Sequence, residues 1–277
     1  MTDTDVITLQ KKSIELRKKI FEIVKAGNAG HTGSSLSCTD ILTTLYYHVM
    51  NVDPTDPENE DRDRYIQSKG QAVEILWAVL ADKGFIPEEE LKTFSKFNSR
   101  LIGHPNNEVN GIEMNTGSLG HGLAVSTGIA LAGKIDKKDY HTYTLMGDGE
   151  LAEGSVWEAA LAAGNYGLSN LTAIIDYNKL QITGNVKDVM SVEPLADKWR
   201  AFGWHVIEVD GHDFVEMIKA FDSKENGNKP KMIIAHTTKG KGFSLAENQA
   251  GWHHKVPSEE QFKQAMEELD AQLEGLK

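Results

Sequence analysis

A chain of 277 residues with 40% hydrophobic and 25% charged side chains is long enough for a large core, and its composition is that of an ordinary globular protein. Its formal net charge of −12 argues against nucleic acid, whose phosphates dominate affinity and repel an acidic surface. The single cysteine, Cys38, rules out an internal disulfide; no apolar run reaches membrane-spanning length, and the polar start Met1-Thr2-Asp3-Thr4-Asp5 does not read as a secretory signal, so a cytoplasmic protein without a membrane partner is expected.

The first predicted helix runs from Ile7 to Lys25, with Ile14, Ile20, Phe21 and Val24 at helical spacing and Gly27 as its stop. Its basic residues, Lys11-Lys12 and Arg17-Lys18-Lys19, read as a solvated face. Asn28-Ala29-Gly30-His31-Thr32-Gly33 reads as a loop, and further helices are expected at Thr39–Met50 and Gln71–Ala81. The acidic run from Asp53 to Asp63 lacks the spacing of a calcium loop. Pro87 followed by Glu88, Glu89 and Glu90 marks a helix start. Strands are then expected at Tyr143–Met146, Leu171–Ile175, His205–Val209 and Met232–Ala235. Helices at Leu151–Asn165, Leu195–Phe202 and Phe214–Phe221 lie between them, and a last helix opens at Pro257-Ser258. This alternation predicts an α/β fold: a doubly wound, mostly parallel sheet with helices on both faces. No linker or repeat breaks the chain, so residues 1–277 read as a single domain with an N-terminal helical segment.

The chemistry is carried by strand, Gly147-Asp148-Gly149, helix, strand, Asp176-Tyr177-Asn178. Right-handed crossovers bring both strand ends to one edge of the sheet, where open α/β sheets bind ligands. Asp148 and Asn178 are then oxygen donors suited to Mg²⁺, and a helix opening at Gly149 offers N–H groups to a phosphate. Alone, Gly-Asp-Gly is usually a turn. The 27 residues from 150 to 176 between Gly149 and Tyr177 make the pair far more specific, because they match the thiamine-diphosphate signature.

Around that pair the sequence resembles transketolase. The resemblance runs through Asn28-Ala29-Gly30-His31, Arg62-Asp63-Arg64, Ser68-Lys69-Gly70 and Gly103-His104-Pro105 to Thr116-Gly117-Ser118-Leu119-Gly120. It continues through Gly147 to Gly154, Trp157-Glu158-Ala159, Thr238-Lys239-Gly240-Lys241-Gly242 and Trp252-His253, in order across nearly the whole chain. Deoxyxylulose-phosphate synthases share Gly-Asp-Gly, but Gly103-His104-Pro105 and Trp252-His253 fit transketolase better.

The resemblance implies thiamine diphosphate and Mg²⁺ as cofactors, with Ca²⁺ or Mn²⁺ as substitutes, and transfer of a two-carbon ketol unit from a ketose to an aldose. It makes Asp148, Asn178 and the Leu180 carbonyl the metal ligands. Gly117, Leu119, Gly147, Gly149, Glu150, Asn178, Gln71 and His121 become cofactor-binding residues. His31, His104 and His253 match histidines lining the substrate channel, where an imidazole can move protons near neutral pH. Glu153 matches a glutamate near the subunit interface, while His254 stands where the family commonly has Gly. His48, His141, His205, His212 and His236 carry no motif reason to be singled out. Family members add a pyrimidine-binding domain and a third domain. The chain therefore reads as the diphosphate-binding (PP) N-terminal subunit of a split transketolase. Its activity would need a C-terminal partner subunit, in a heterotetramer with two copies of each chain.

Two departures bear on specificity. Gln71 follows Ser68-Lys69-Gly70 where the family usually has His, and His121 follows Leu119-Gly120 where it usually has Gln. They read either as a neutral exchange or as a compensated swap that reshapes the cavity for a sulfonated or branched ketose. A dehydrogenase is the competing fold reading, but Gly147-x-Gly149 lacks its third glycine, since position 152 is Ala. A non-catalytic cofactor-binding module is the competing function.

Overall fold

The computed structural model describes residues 3–182, 184–224 and 227–276. Helix α1 spans Asp3–Gly27 and buries Leu16, Ile20, Phe21, Ile23 and Val24. Two short helices follow, α2 (Thr32–Ser37) and α3 (Thr39–Thr44), the latter running into a π-helical turn at Leu45–Val49. Helix α2 occupies part of a segment that the sequence marks as loop. Every one of its side chains is buried, so packing overrides the weak helix propensity of Thr-Gly-Ser-Ser.

Strand β1 (Arg64–Gln67) and helix α4 (Val73–Lys83) come next, then a 3₁₀ helix at Glu88–Thr93, where the sequence pattern marks a helix start, and α5 (Gly122–Asp136). The sequence pattern predicts neither β1 nor α5. Strand β2 (Thr142–Gly147), helix α6 (Gly154–Asn165) and strand β3 (Leu171–Tyr177) form the central crossover. Gly149 opens only a 3₁₀ turn, Gly149–Ala152, rather than the helix itself, which starts at Gly154. A small antiparallel hairpin, β4 (Leu180–Gln181) with β5 (Gly184–Asn185), leads into α7 (Val186–Val189). Helix α8 (Leu195–Ala201), β6 (His205–Asp210), α9 (Phe214–Asp222), β7 (Lys231–His236) and α10 (Glu259–Gly275) complete the order.

Five strands form one parallel sheet in the order β1-β2-β3-β7-β6. Alternation along each strand feeds two cores. Tyr143, Leu145, Ile174 and Ile233 face α1, α3, α4 and α9, while Met146, Ala173, Ile175 and Ile234 face the side of α5, α6 and α8. Covering both faces is what a parallel sheet requires, and it leaves the carboxyl edge as the open side. In register, Gly147 lies beside Asp176 and Tyr177 beside His236, so the segments after β2, β3 and β7 leave the sheet together.

Candidate active site

At that edge a cavity of about 380 Å³ is lined by residues from His31 to His253. Its floor is a buried ion pair. Asp176, fully buried at the end of β3, accepts hydrogen bonds from Lys69 Nζ, Ser37 Oγ, Thr237 Oγ1 and Asn178 Nδ2. Burial opposes its charge, yet Lys69 holds its carboxyl below the usual range, and Asp176 in turn keeps Lys69 above its ordinary value. Lys69 also donates to the Ser34 carbonyl at 3.2 Å.

Asp148, Asn178 and Leu180 all line this cavity. Asp148 accepts from the backbone N–H of Gly149 at 2.8 Å and from that of Lys179. Asn178 Oδ1 accepts from the Leu180 N–H at 3.0 Å, and the Leu180 carbonyl from Lys239 Nζ at 3.3 Å. Each of the three oxygens is thus turned to an N–H donor. The set is all oxygen, as Mg²⁺ prefers, and burial together with the Asp176 charge pushes the Asp148 carboxyl up to about 6. A buried, like-charge-pressed carboxylate of this kind fits a divalent cation. The Gly149 N–H is engaged by Asp148 itself rather than free.

Lys239, 1% exposed, is the second buried cation of the cavity; the sequence shows it only as part of the Thr238 to Gly242 motif, with no role of its own. Its bonds go to the Leu180 carbonyl and to His253 Nδ1 at 3.0 Å, and among the described residues no carboxylate reaches it. Burial and the Lys69 charge lower it to about 8. Two lysines facing one cavity whose floor holds one paired carboxylate give a site suited to a polyanion.

The histidines form the mouth. The His31 ring packs against His104 at 6.4 Å, His253 at 5.4 Å and His254 at 4.6 Å, all edge to face. Burial first, then the neighbouring rings and lysines, lowers His31 to about 4; burial and Lys239 lower His253 to about 3; burial lowers His104. At neutral pH these three rings are uncharged, so each can donate at one nitrogen and accept at the other. Glu74, fully buried on α4, places His31 by accepting its backbone N–H at 2.8 Å and the Ser35 hydroxyl at 2.6 Å. Gly30 (φ +145°) is required there, since a Cβ would lie 2.6 Å from Glu74 Oε1. Gly117 (φ +146°) plays the same part under His104, where a Cβ would come within 2.9 Å of the ring.

Gly117, Leu119, Gly147, Gly149 and Gln71 also line the cavity. Glu150, His121 and Glu153 fall in different places. Glu150 lines the cavity at 2% exposure and ties three loops together there, accepting from Ser68 Oγ, the Gly120 N–H at 2.8 Å and the Gly147 N–H at 3.1 Å. His121 is exposed at the start of α5, with Nδ1 on the carbonyls of Ser118 and Leu119, and does not line the cavity, so the two exchanges at 71 and 121 do not share one wall. Glu153 is exposed outside the cavity. The reading of the basic residues of α1 as a solvated face also fails for Arg17, which is buried on Asp40 at 2.7 Å. Cys38 is fully buried, and burial pushes its thiol up to about 12.

Comparison with known proteins agrees with this geometry. Residues 10–273 match the family model for the transketolase thiamine diphosphate binding domain. One subunit of the apulose-4-phosphate transketolase of Phocaeicola vulgatus is 50% identical over 98% of this chain and 97% of its own length. The 6-deoxy-6-sulfo-D-fructose transketolase subunit SqwG of a Clostridium species is 42% identical over 95% and 97%. The solved transketolase of Campylobacter jejuni superposes on the whole chain with a TM-score of 0.90 at 32% identity, and the chain spans 46% of that protein. With the magnesium-type donor set, paired lysines and histidine mouth in one cavity, the chain belongs to the transketolase thiamine diphosphate-binding family.

Proposed function

We propose that this chain is the cofactor-binding subunit of a two-subunit transketolase and transfers a two-carbon ketol unit together with a C-terminal partner subunit. The observation that carries this is the convergence of Asp148, Asn178 and Leu180 with Lys69, Lys239 and the histidines in one cavity. Asp148, Asn178 and the Leu180 carbonyl would hold Mg²⁺. Lys69 and Lys239 would face the diphosphate, with the Gly149 N–H, donated to Asp148 in this structure, beside them. When bound, thiamine diphosphate supplies the carbanion chemistry that cleaves and rejoins the carbon skeleton. His31, His104 and His253, neutral and close together, orient sugar hydroxyls and carry protons to and from them. Glu153, exposed just before α6, belongs to a contact with another subunit in a tetramer of two copies of each chain. Residues 1–277 are in this reading one diphosphate-binding unit, working in the cytoplasm; among the described residues no helix is long and apolar enough to cross a membrane.

Apulose 4-phosphate is the proposed donor, because relatives at 50% and 46% identity carry that name. A sulfonated ketose is the alternative, from the relative at 42%. Gln71, in the cavity wall, is then the residue to test for donor choice. The deciding experiment combines the purified chain with its partner and measures ketol transfer from apulose 4-phosphate, 6-deoxy-6-sulfo-D-fructose and xylulose 5-phosphate. Turnover that needs both chains and favours the first donor is expected. Full turnover by this chain alone would overturn the two-subunit reading, and cofactor binding with no transfer from any donor would favour a non-catalytic module.

A further inference from the structure

The turn Thr238 to Lys241 carries Lys239 into the cavity, and both of its ends are gripped by one buried cluster outside the cavity. The Thr238 N–H donates to His212 Nε2 at 2.8 Å, and the Lys241 carbonyl accepts from Arg17 Nε at 3.0 Å. The same Asp40 carboxylate serves both arms. His212 Nδ1 lies 2.7 Å from Asp40 Oδ2, while Arg17 reaches Oδ1 at 2.9 Å and Oδ2 at 2.7 Å. Asp40 and Arg17 are 5% and 4% exposed, so this bidentate pair is shielded from water. A backbone N–H can only donate, so His212 Nε2 is bare, and the proton of the neutral ring sits on Nδ1, donated to Asp40. Gly240 closes the turn from inside by donating its N–H to the Gly33 carbonyl at 3.0 Å.

We propose that His212 is a positioning residue which, with Arg17 and Asp40, clamps the Thr238–Lys241 turn and so aims the Lys239 ammonium at the bound diphosphate. The clamp joins α1, α3 and the connection between β6 and α9 to a loop that touches none of them through its own side-chain charge. A turn free at either end would let a lysine with four rotatable bonds leave the cavity, because nothing on Lys239 itself pairs it with a carboxylate.

The proposal rests on the cavity being a diphosphate site, and the test separates the two. Mg²⁺ with thiamine diphosphate is titrated calorimetrically into the chain assembled with its partner, for the wild type, H212N, H212Q, K239M and the double variant H212N/K239M. An asparagine amide can replace Nδ1 toward Asp40 but reaches nothing at Thr238; a glutamine carbonyl can replace Nε2 as the acceptor. We expect H212N to bind about tenfold more weakly and H212Q within about threefold of the wild type. On the K239M background, H212N should change affinity by less than about twofold, since coupled residues are not additive. Equal losses in H212N and H212Q, wild-type affinity in H212N, or the full H212N loss persisting on K239M would each overturn the clamp. Absence of binding by the wild type would instead overturn the diphosphate reading. Independently of any variant folding, ¹⁵N imidazole shifts of the wild type must show His212 protonated at Nδ1 and bare at Nε2; the other tautomer or a charged ring overturns the proposal.

Discussion

At the floor of the cavity Asp176 collects hydrogen bonds from Lys69, Ser37, Thr237 and Asn178, whereas at the mouth His31 meets three other imidazoles through ring edges at 4.6–6.4 Å. The Lys69–Asp176 pair at the floor is charged and buried; His31, His104 and His253 at the mouth are neutral and half-buried, and His254 is exposed. Buried charges require partners, so the floor is fixed by the fold before any ligand arrives. Half-buried neutral rings hold their places by packing and backbone tethers such as Glu74. Mutations at the floor should therefore damage stability or cofactor affinity, and those at the mouth should damage turnover.

The largest effect is expected from Lys69→Met. It leaves Asp176 as an uncompensated buried charge, a change that costs about 3–5 kcal/mol, and chemical denaturation of the purified chain measures it. A loss below about 1 kcal/mol would break the contrast at its strongest point. At the mouth, His104→Ala should leave unfolding within about 1 kcal/mol of the wild type and lower kcat/KM about a hundredfold, the range for losing one proton-transfer or hydrogen-bonding group. If stability falls as much as activity, the mouth is structural after all. Asp148→Ala sits between the two regions. It should weaken Mg²⁺-dependent thiamine diphosphate binding by the assembled enzyme at least tenfold, about 1.4 kcal/mol by calorimetry, with little change in unfolding.

Acid should also test the mouth. His31 and His253 titrate at about 4 and about 3 in the folded chain, below the ordinary 6.5, so the unfolded chain binds protons more readily. Their contribution to stability is full above about pH 6.5 and is lost as the pH falls toward those values. His31→Gln should flatten the stability profile between pH 6.5 and 4, and an unchanged slope would refute the assignment. The smallest effect concerns the two sequence exchanges. Gln71→His should shift the kcat/KM ratio between apulose 4-phosphate and xylulose 5-phosphate several-fold, while His121→Gln, at an exposed ring outside the cavity, should leave it within about twofold.

The same contrast marks what can be read from sequence. Asp148 and Asn178 are legible because two oxygen side chains after neighbouring strands need only the crossover rule to meet. Asp176, two residues earlier, is not, because its importance depends on Lys69, which lies 107 residues away in sequence. Strand β1 escapes the pattern since Arg64-Tyr65-Ile66-Gln67 is short and follows an acidic run, and α5 because Gly122, Gly128 and Gly133 weaken its helical signal. His212 gives no motif; only the approach of Thr238 and Asp40 gives it a role. His121 is misplaced by sequence because neighbours along a loop need not be neighbours in the cavity.

The parallel order of the sheet has a consequence for assembly. Arg64 of β1 pairs with Thr142 of β2, and no two strands of the five-stranded sheet are joined by a tight hairpin. Chain closure over such separations is slow, and the cavity draws its lining from residue 31 to residue 253. A fragment lacking either end of that span lacks part of the lining. Occupancy at about a hundred times the dissociation constant would add about 2.7 kcal/mol to that fold alone and lower the population of opened chain by the same factor.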